Sequence, residues 1–473
     1  MLKHTKHLLL SAATLTLTLA TAATAAAQES APKAAPAAET KATATAPAKT
    51  APAEAKKADL SVVVVATRIA ESPYQVAGST EAITLDEARA AGAVTLGETF
   101  KYVPGVNVPF SAGVASGASS YTTGGDKGIN IRGLEGDRVA IIADGIAQPD
   151  DFNSGGGAAS PGRIYIDPAV YGQVEVFKTA ASSLYGSGAL GGAVATSSTG
   201  PEQLLGQSLT GYALSNTATY ATANKSINNL IQAAIGDGKW AASAVYSTRK
   251  GEENESKGKT DLNPQEFRSQ AVIAKLNRKL DNVKLEAVVD YYYLGQDIVG
   301  TNAESVMNMG PAMRYEYLTP TQDIARERLR FSLGADITQH TAIYDTVNIT
   351  GYWQNTTSRV LSHDITRVVR PTGTTVRERI NTIDNEAEIT GINSVARKTI
   401  NSGSISQVIQ YGFEGSFGDN TLGFTRIENG NPAADAFVMT PSEVYRAGIF
   451  ASDKISLGDS KQYVLTPSLR VDY

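Results

Sequence analysis

From Gly200 to the end, the chain repeats one pattern: apolar and polar residues alternate with a period of two. Glu327, Leu329, Phe331, Leu333, Ala335 and Ile337 alternate with Arg328, Arg330, Ser332, Gly334 and Asp336. Leu285, Ala287, Val289, Tyr291 and Tyr293 alternate with Lys284, Glu286, Val288, Asp290 and Tyr292, and Tyr463, Leu465, Pro467, Leu469, Val471 and Tyr473 with Val464, Thr466, Ser468, Arg470 and Asp472. Successive strand residues point to opposite faces, so each segment presents one apolar and one mostly polar side. Apart from its N-terminus, the chain has no run near the ~18 apolar residues of a membrane-crossing helix. Alternating strands cross lipid as a barrel, because only alternate residues face the hydrocarbon. We read about eleven such strands. Short connections fall at 237–238, 281–282, 338–340, 400–403 and 458–461, and long ones at 250–267, 297–324, 359–380 and 418–442. The turn near 223–226 is short where the alternation asks for a long one.

The N-terminus is an export signal. Lys3 and Lys6 precede Leu8-Leu9-Leu10 and an apolar run to Ala20, and Ala25-Ala26-Ala27 offers a cleavage site, so 1–27 is read as a signal peptide. Residues 28–58 are Ala, Pro, Lys, Thr and Glu with no large apolar side chain, and are expected to be a disordered tail. Next comes Asp59, Leu60, Ser61, Val62, Val63, Val64 and Val65, a β-branched run suited to joining another protein's sheet edge. The chain contains no cysteine, which excludes disulfides, thiolate metal sites and a cysteine nucleophile. Its net charge of −5 argues against a dedicated nucleic-acid binder.

Between tail and strands, 67–200 reads as a compact α+β domain. Thr84 with Glu87, and Thr95 with Glu98, fit capping boxes ahead of helices near 85–91 and 96–102. Leu96, Phe100 and Val103 fall on one face and are expected in the core. Segments 111–128 and 150–162 are Gly- and Ser-rich and are expected to be apical loops. Gly186, Gly188, Gly191 and Gly192 sit where the backbone is expected to turn sharply or pass close to a neighbour. The 186–191 run matches a dinucleotide fingerprint in form only. A strand, Ala193 to Thr196, follows where a helix belongs, and no acid lies near twenty residues on.

The order Ile131-Arg132-Gly133, Asp144-Gly145, Val174-Glu175-Val176, Ser183-Leu184-Tyr185-Gly186 and Ala189-Leu190-Gly191-Gly192 resembles the plug of TonB-dependent outer-membrane receptors. Gly133 to Arg138 and Asp144 to Pro149 bring it closest to the haem and haemoglobin uptake branch. Weaker likeness continues at 263–270 and 465–470, and Lys178-Thr179-Ala180 departs from the family's usual glycine-proline step. The resemblance implies a TonB box at 59–66, a plug at 67–200 and the first part of a transmembrane antiparallel β-barrel at 201–473. Arg132, Gly133, Asp144, Gly145 and the four glycines above would be plug structural residues. Arg132 is read in a buried-looking strand, where the resemblance implies pairing with a wall carboxylate, against the alternative of a surface arginine.

A plugged transporter barrel takes about 22 strands, so the 273 residues after Gly200 are enough for roughly half. On this reading the chain is C-terminally truncated and does not insert stably alone, since open edges are not tolerated in lipid. The implied function is TonB-dependent uptake of an iron-containing ligand, haem or a haemoprotein, with a ferric siderophore as the alternative. Partners would be a TonB-type protein, the extracellular iron carrier and outer-membrane lipid. Localisation would be the outer membrane, with plug and tail facing the periplasm. Residues 59–200 hold no histidine, which leaves His363, read in an outer loop, and Tyr121 as candidate ligand contacts; His340 falls in a short turn. No metal ligand and no resident cofactor is assigned; iron or haem would be cargo. A secreted β-rich adhesin would need repeats of fixed period, which are missing. An enzyme would need a nucleophile elbow or similar site, which is also missing.

Overall fold

A computed structural model describes residues 79–90, 93, 96–108, 110–111, 125–126, 128–150, 165–253, 263–300, 305–309, 313–318, 320–433, 439–458 and 463–473. These residues fall in one compact unit. The TonB-box segment 59–66 and Tyr121 lie outside them.

The chain first builds a five-stranded sheet from β1 (Thr80–Thr84), β2 (Val139–Ala143), β3 (Ile146–Ala147), β4 (Tyr171–Phe177) and β5 (Gly192–Ser198). Its order is β1-β4-β5-β2-β3, with β2 and β5 parallel. Helices α1 (Leu85–Ala90), α2 (Leu96–Thr99), α3 (Ser182–Tyr185) and α4 (Pro201–Leu205) are short. The first capping box forms: the Thr84 amide donates to Glu87 Oε2 at 2.8 Å and the Glu87 amide to Thr84 Oγ1 at 3.2 Å. Helix α2 stops at Thr99, three residues sooner than the spacing predicts. Val103 precedes Pro104 and is biased away from helical backbone, so the chain turns instead. Leu96, Phe100 and Val103 are buried nonetheless. The fingerprint-like glycines lead into the strand β5, as the sequence indicates.

Asp144-Gly145 closes the β2–β3 hairpin with both residues at positive φ, 51° and 78°. That is the type I′ turn that Asp-Gly favours. Arg132-Gly133 makes the same kind of turn, at φ 53° and 90°, between Ile131 and Leu134. Arg132 is therefore exposed at a turn rather than buried in a strand, the surface alternative of the two that its sequence left open. Lys178, at the departure from the glycine-proline step, is buried and paired with Glu81 at 3.1 Å.

After α4 an antiparallel sheet runs in sequence order through β6 (Thr210–Ala221), β7 (Ser226–Asp237), β8 (Trp240–Glu252), β9 (Gln265–Lys279), β10 (Val283–Val299), β11 (Thr321–Thr338), β12 (Thr346–Arg370), β13 (Gly373–Ser402), β14 (Ile405–Glu428) and β15 (Met439–Leu457). A last strand, broken at Thr466-Pro467 into β16 (Tyr463–Leu465) and β17 (Ser468–Asp472), pairs with β15. This gives eleven wall strands among the described residues, as the alternation indicates. Leu214, Leu285, Phe331, Leu333, Leu469 and Val471 stand exposed on the outer face. On the inner face Leu230, Val245, Ile273, Val288 and Tyr292 share one core with Leu96, Ile131, Ile141, Val174 and Val194 of the plug. The plug is seated against the wall.

Two expected loops are strands. Residues 359–380 and much of 418–442 continue β12, β13 and β14, which reach 25, 30 and 24 residues, against 12 to 15 in β6 to β9. Segment 297–324 holds a further hairpin, Ser305–Asn308 with Arg314–Tyr317, docked on β12. The apolar outer face ends near two stacked aromatics, Phe331 and Trp353, with centroids 5.8 Å apart. Above them come Asn355 bonded to Glu386 at 2.7 Å and Arg359 paired with Asp384 at 3.2 Å. From there apolar and polar residues mix on both faces, with Leu361 and Ile365 beside Arg359 and His363 outside and Val360 beside Ser362 and Asp364 inside, so the strict alternation is lost from the sequence while the ladder continues. From Asn355 to Arg370 the strand rises a further ~50 Å as a crown over one side of the wall.

Candidate functional site

The site is the seam where the plug meets the inner face. Strand β11 turns its even-numbered residues inward, so Arg328 and Arg330 point at the plug; both are 1% exposed. Their neighbour across the β10–β11 ladder is Asp290, also 1% exposed. Arg328 donates to both Asp290 oxygens at 2.6 and 2.7 Å, and Arg330 donates to Asp290 at 2.7 Å. From the plug, Asp144 accepts from Arg330 at 2.7 Å, Tyr171 donates to Asp290 at 3.2 Å, and Gln148 accepts from Arg328 at 3.1 Å. The Ala143 carbonyl also accepts from Arg330. Two guanidiniums thus meet two carboxylates. The Asp144-Gly145 turn aims one of those carboxylates, with Ser198 Oγ holding it at 2.8 Å.

A second balanced group flanks it. Lys275 lies 3.9 Å from both Asp144 and Glu286, and Lys284 pairs with Glu202 of α4 at 3.0 Å. Asn393 donates to the Gly145 carbonyl at 3.1 Å, and Arg446 pairs with Asp150. Arg328 and Arg330 each keep a buried Nε without a hydrogen bond. The seam is charge-balanced but not fully satisfied, so water that reaches it recovers part of its bonding.

Burial pushes the Asp144 carboxyl up, but Lys275, Arg330 and the Ser198 hydrogen bonds outweigh it and hold the group below the usual carboxylate range. A depressed carboxylate adds stability above its unfolded value, about 3.9, and loses it as pH falls through its folded value. Plug protection against trypsin is expected to stay level from pH 8 to 5 and to weaken only below about 4. Asp144→Asn should flatten that acid limb; a limb unchanged in the variant would assign it to other groups.

The other sequence-selected residues are scattered. Gly186 has φ 79°, and its Cβ position would sit 3.4 Å from Arg470 of β17, whose guanidinium donates to the Leu184 carbonyl at 2.9 Å. A Cβ on Gly191 would meet Leu134 at 2.7 Å, and one on Gly192 would meet the Phe177 carbonyl at 2.2 Å. Gly188 has no positive φ and only an ordinary 3.4 Å neighbour, contrary to the expectation of a forced turn. His363 lies on β12 rather than in a loop, at an odd-numbered, outward position, with Nε2 2.8 Å from Glu378. His340 sits in the Gln339–Asp345 turn, 3.0 Å from Asp345. Among the described residues no group of three His, Asp or Glu is placed to hold a metal ion.

Residues 72–193 match the family model described as TonB-dependent Receptor Plug Domain. That stretch is a plug domain of the kind TonB-dependent receptors carry. Over 165 residues, 33% of this chain and 16% of the relative, it is 33% identical to lactoferrin-binding protein A of Neisseria meningitidis. Over 139 residues, 28% of this chain and 16% of the relative, it is 32% identical to heme/hemopexin utilization protein C of Haemophilus influenzae. The fold is that of the Serratia marcescens hemophore receptor HasR, solved with its hemophore HasA and heme (TM-score 0.60, 14% identity, 84% of this chain and 52% of that one). It is likewise that of the unliganded ferric citrate transporter FecA (TM-score 0.57, 16% identity, 85% and 57%). The chain thus spans about half the length of these solved structures and its match about a sixth of the curated relatives.

Sequence reasoning singled out Asp144 but not its partners. Resemblance offers a plug arginine, Arg132, for a wall carboxylate, whereas in this chain wall arginines face a plug carboxylate. The signal was present: Arg326, Arg328 and Arg330 recur every second residue on the polar side of an otherwise lipid-suited strand.

Proposed function

We propose that this chain supplies the plug and adjoining wall of an outer-membrane receptor for energy-coupled uptake of an iron-containing ligand of haem type. The observation that carries this is the seam. A stopper fixed by buried, balanced charges is tight when dry and releasable once water enters, whereas a wholly apolar seam would reseal. The 59–66 segment would pair with a TonB-type protein in the periplasm, whose pull would break the seam. The base of the wall would then face the periplasm and the crown of β12, β13 and β14 the medium. The named relatives bind or use lactoferrin, heme and hemopexin, which supports iron-linked cargo. Iron or haem would be cargo and not a resident cofactor.

Deleting 59–65 is expected to abolish uptake and leave ligand binding intact. Uptake at the wild-type rate would overturn the proposal. A second reading, a ferric-siderophore receptor, draws support from the histidines: among the described residues neither His340 nor His363 faces the lumen. His363→Ala is accordingly expected to leave the Soret change on haem titration unaltered, and its loss would show that β12 presents this ring to ligand.

A further inference from the structure

The foot of the wall carries cations on its outer side that the plug seam does not use. The β7–β8 turn runs through Asp237, Gly238 and Lys239 into Trp240, and β9 ends beside it at Arg278-Lys279. Trp240 and Arg278 are direct partners across the β8–β9 ladder, on the outward set of their strands. The Arg278 guanidinium lies over the indole, 4.4 Å from the ring centroid. The Lys279 amide donates to the Lys239 carbonyl at 2.7 Å and joins the two lysine backbones. Lys239, Trp240, Arg278 and Lys279 are all exposed.

Strand β8 sets the depth of this group. Its outward residues read Trp240, Ala242, Ala244, Tyr246, Thr248 and Lys250. From Trp240 to Lys250 the strand rises about 33 Å, or about 25 Å of height at the usual tilt, which is the depth of an apolar belt. Trp240 and Arg278 therefore mark the lipid boundary at the foot. Directly above them Ile235, Leu276 and Leu285 stand exposed, with Leu285 opposite Arg278 in the ladder. Charge is unbalanced here. Other wall cations are paired, Lys225 with Glu252, Lys284 with Glu202 and Lys398 with Asp345. Among the described residues Lys239, Arg278 and Lys279 form no salt bridge. Asp237 is held by its own turn, where Oδ1 accepts from the Lys239 and Trp240 amides at 2.8 and 2.7 Å, and Asp281 lies in the next turn. Three cations against these two acids leave the group net positive.

We infer that Lys239, Trp240, Arg278 and Lys279 form a seat for the phosphate of an anionic phospholipid in the leaflet at the foot of the wall. Stacking on the indole holds the guanidinium flat and leaves its in-plane N–H donors free for phosphate oxygens. The indole itself suits headgroup depth, and two flanking ammoniums favour a lipid of net negative charge over a zwitterionic one. Ile235, Leu276 and Leu285 receive the acyl chains. The seat goes beyond the uptake proposal and rests only on the wall's lying in lipid.

The chain has two tryptophans, so W353F leaves Trp240 as the sole indole emitter. The full chain carrying W353F is placed in detergent micelles with phosphatidylglycerol or phosphatidylcholine whose acyl chains are brominated, and quenching of its emission is followed. Half-quenching by the glycerol lipid is expected at a mole fraction about tenfold below that for the choline lipid. Adding K239Q/R278Q/K279Q should bring both lipids to the choline lipid's level, with contact to lipid retained. If that variant fails to fold, the two lipids compared on W353F alone still decide. Equal quenching by both lipids in W353F, or a preference that survives the triple substitution, overturns the seat and leaves the lipid-facing wall standing. No quenching by either lipid overturns both. The 59–65 deletion reads the uptake proposal separately, so either can fail alone.

Discussion

Asp290→Asn is expected to loosen the plug by about 3–5 kcal/mol, the usual consequence of removing one partner from a buried ion pair. The substitution leaves Arg328 and Arg330 facing Asp144 alone, in a site where both guanidiniums are 1% exposed. It also turns the acceptor of the Tyr171 hydroxyl into a weaker one. The readout is the urea concentration at which trypsin first cuts the plug. Arg328→Met combined with Asp290→Leu should recover much of the loss. That pair removes one charge of each sign and keeps Arg330 with Asp144, and apolar replacement of a buried pair is often neutral. A single variant as resistant as wild type would mean that the apolar contacts of Val174, Ile273 and Tyr292 hold the plug unaided.

Gly192→Ala is the second large effect. Gly192 has φ 132° and pairs with Val139 in the parallel ladder at the first residue of β5. A Cβ there would lie 2.2 Å from the Phe177 carbonyl, so backbone must move and both the β4–β5 and β2–β5 ladders are disturbed. The strained φ alone costs more than about 1 kcal/mol, and with the clash the loss should reach about 4–5 kcal/mol, the extreme for one substitution. Gly188→Ala is the control and should stay within about 0.5 kcal/mol. Thermal unfolding followed by plug proteolysis separates them; equal midpoints would refute the assignment of Gly192 as the pivot of the plug sheet.

The contrast between these two glycines shows how far residue type alone reaches. Both stood in one glycine-rich run, but only the fold brings the Phe177 carbonyl against Gly192. Arg132 teaches the same lesson in reverse: its apolar neighbours Ile129 and Ile131 left burial and exposure both open, and Gly133 after it allows the left-handed turn that leaves it exposed. His363 reads as a loop residue because apolar alternation stops near Trp353, although hydrogen-bonded pairing does not require an apolar face.

What the sequence determined by itself was whatever depends on neighbours along the chain. It set the eleven alternating wall strands, the Thr84–Glu87 cap, the Asp144-Gly145 hairpin and the absence of helix after the glycine run. Tertiary structure alone decided which inward arginines meet which plug carboxylate and how far β12 to β14 rise beyond the apolar belt. Those outcomes depend on register between residues up to roughly two hundred positions apart, where each strand fixes only the face a side chain takes and the ladder fixes its partner.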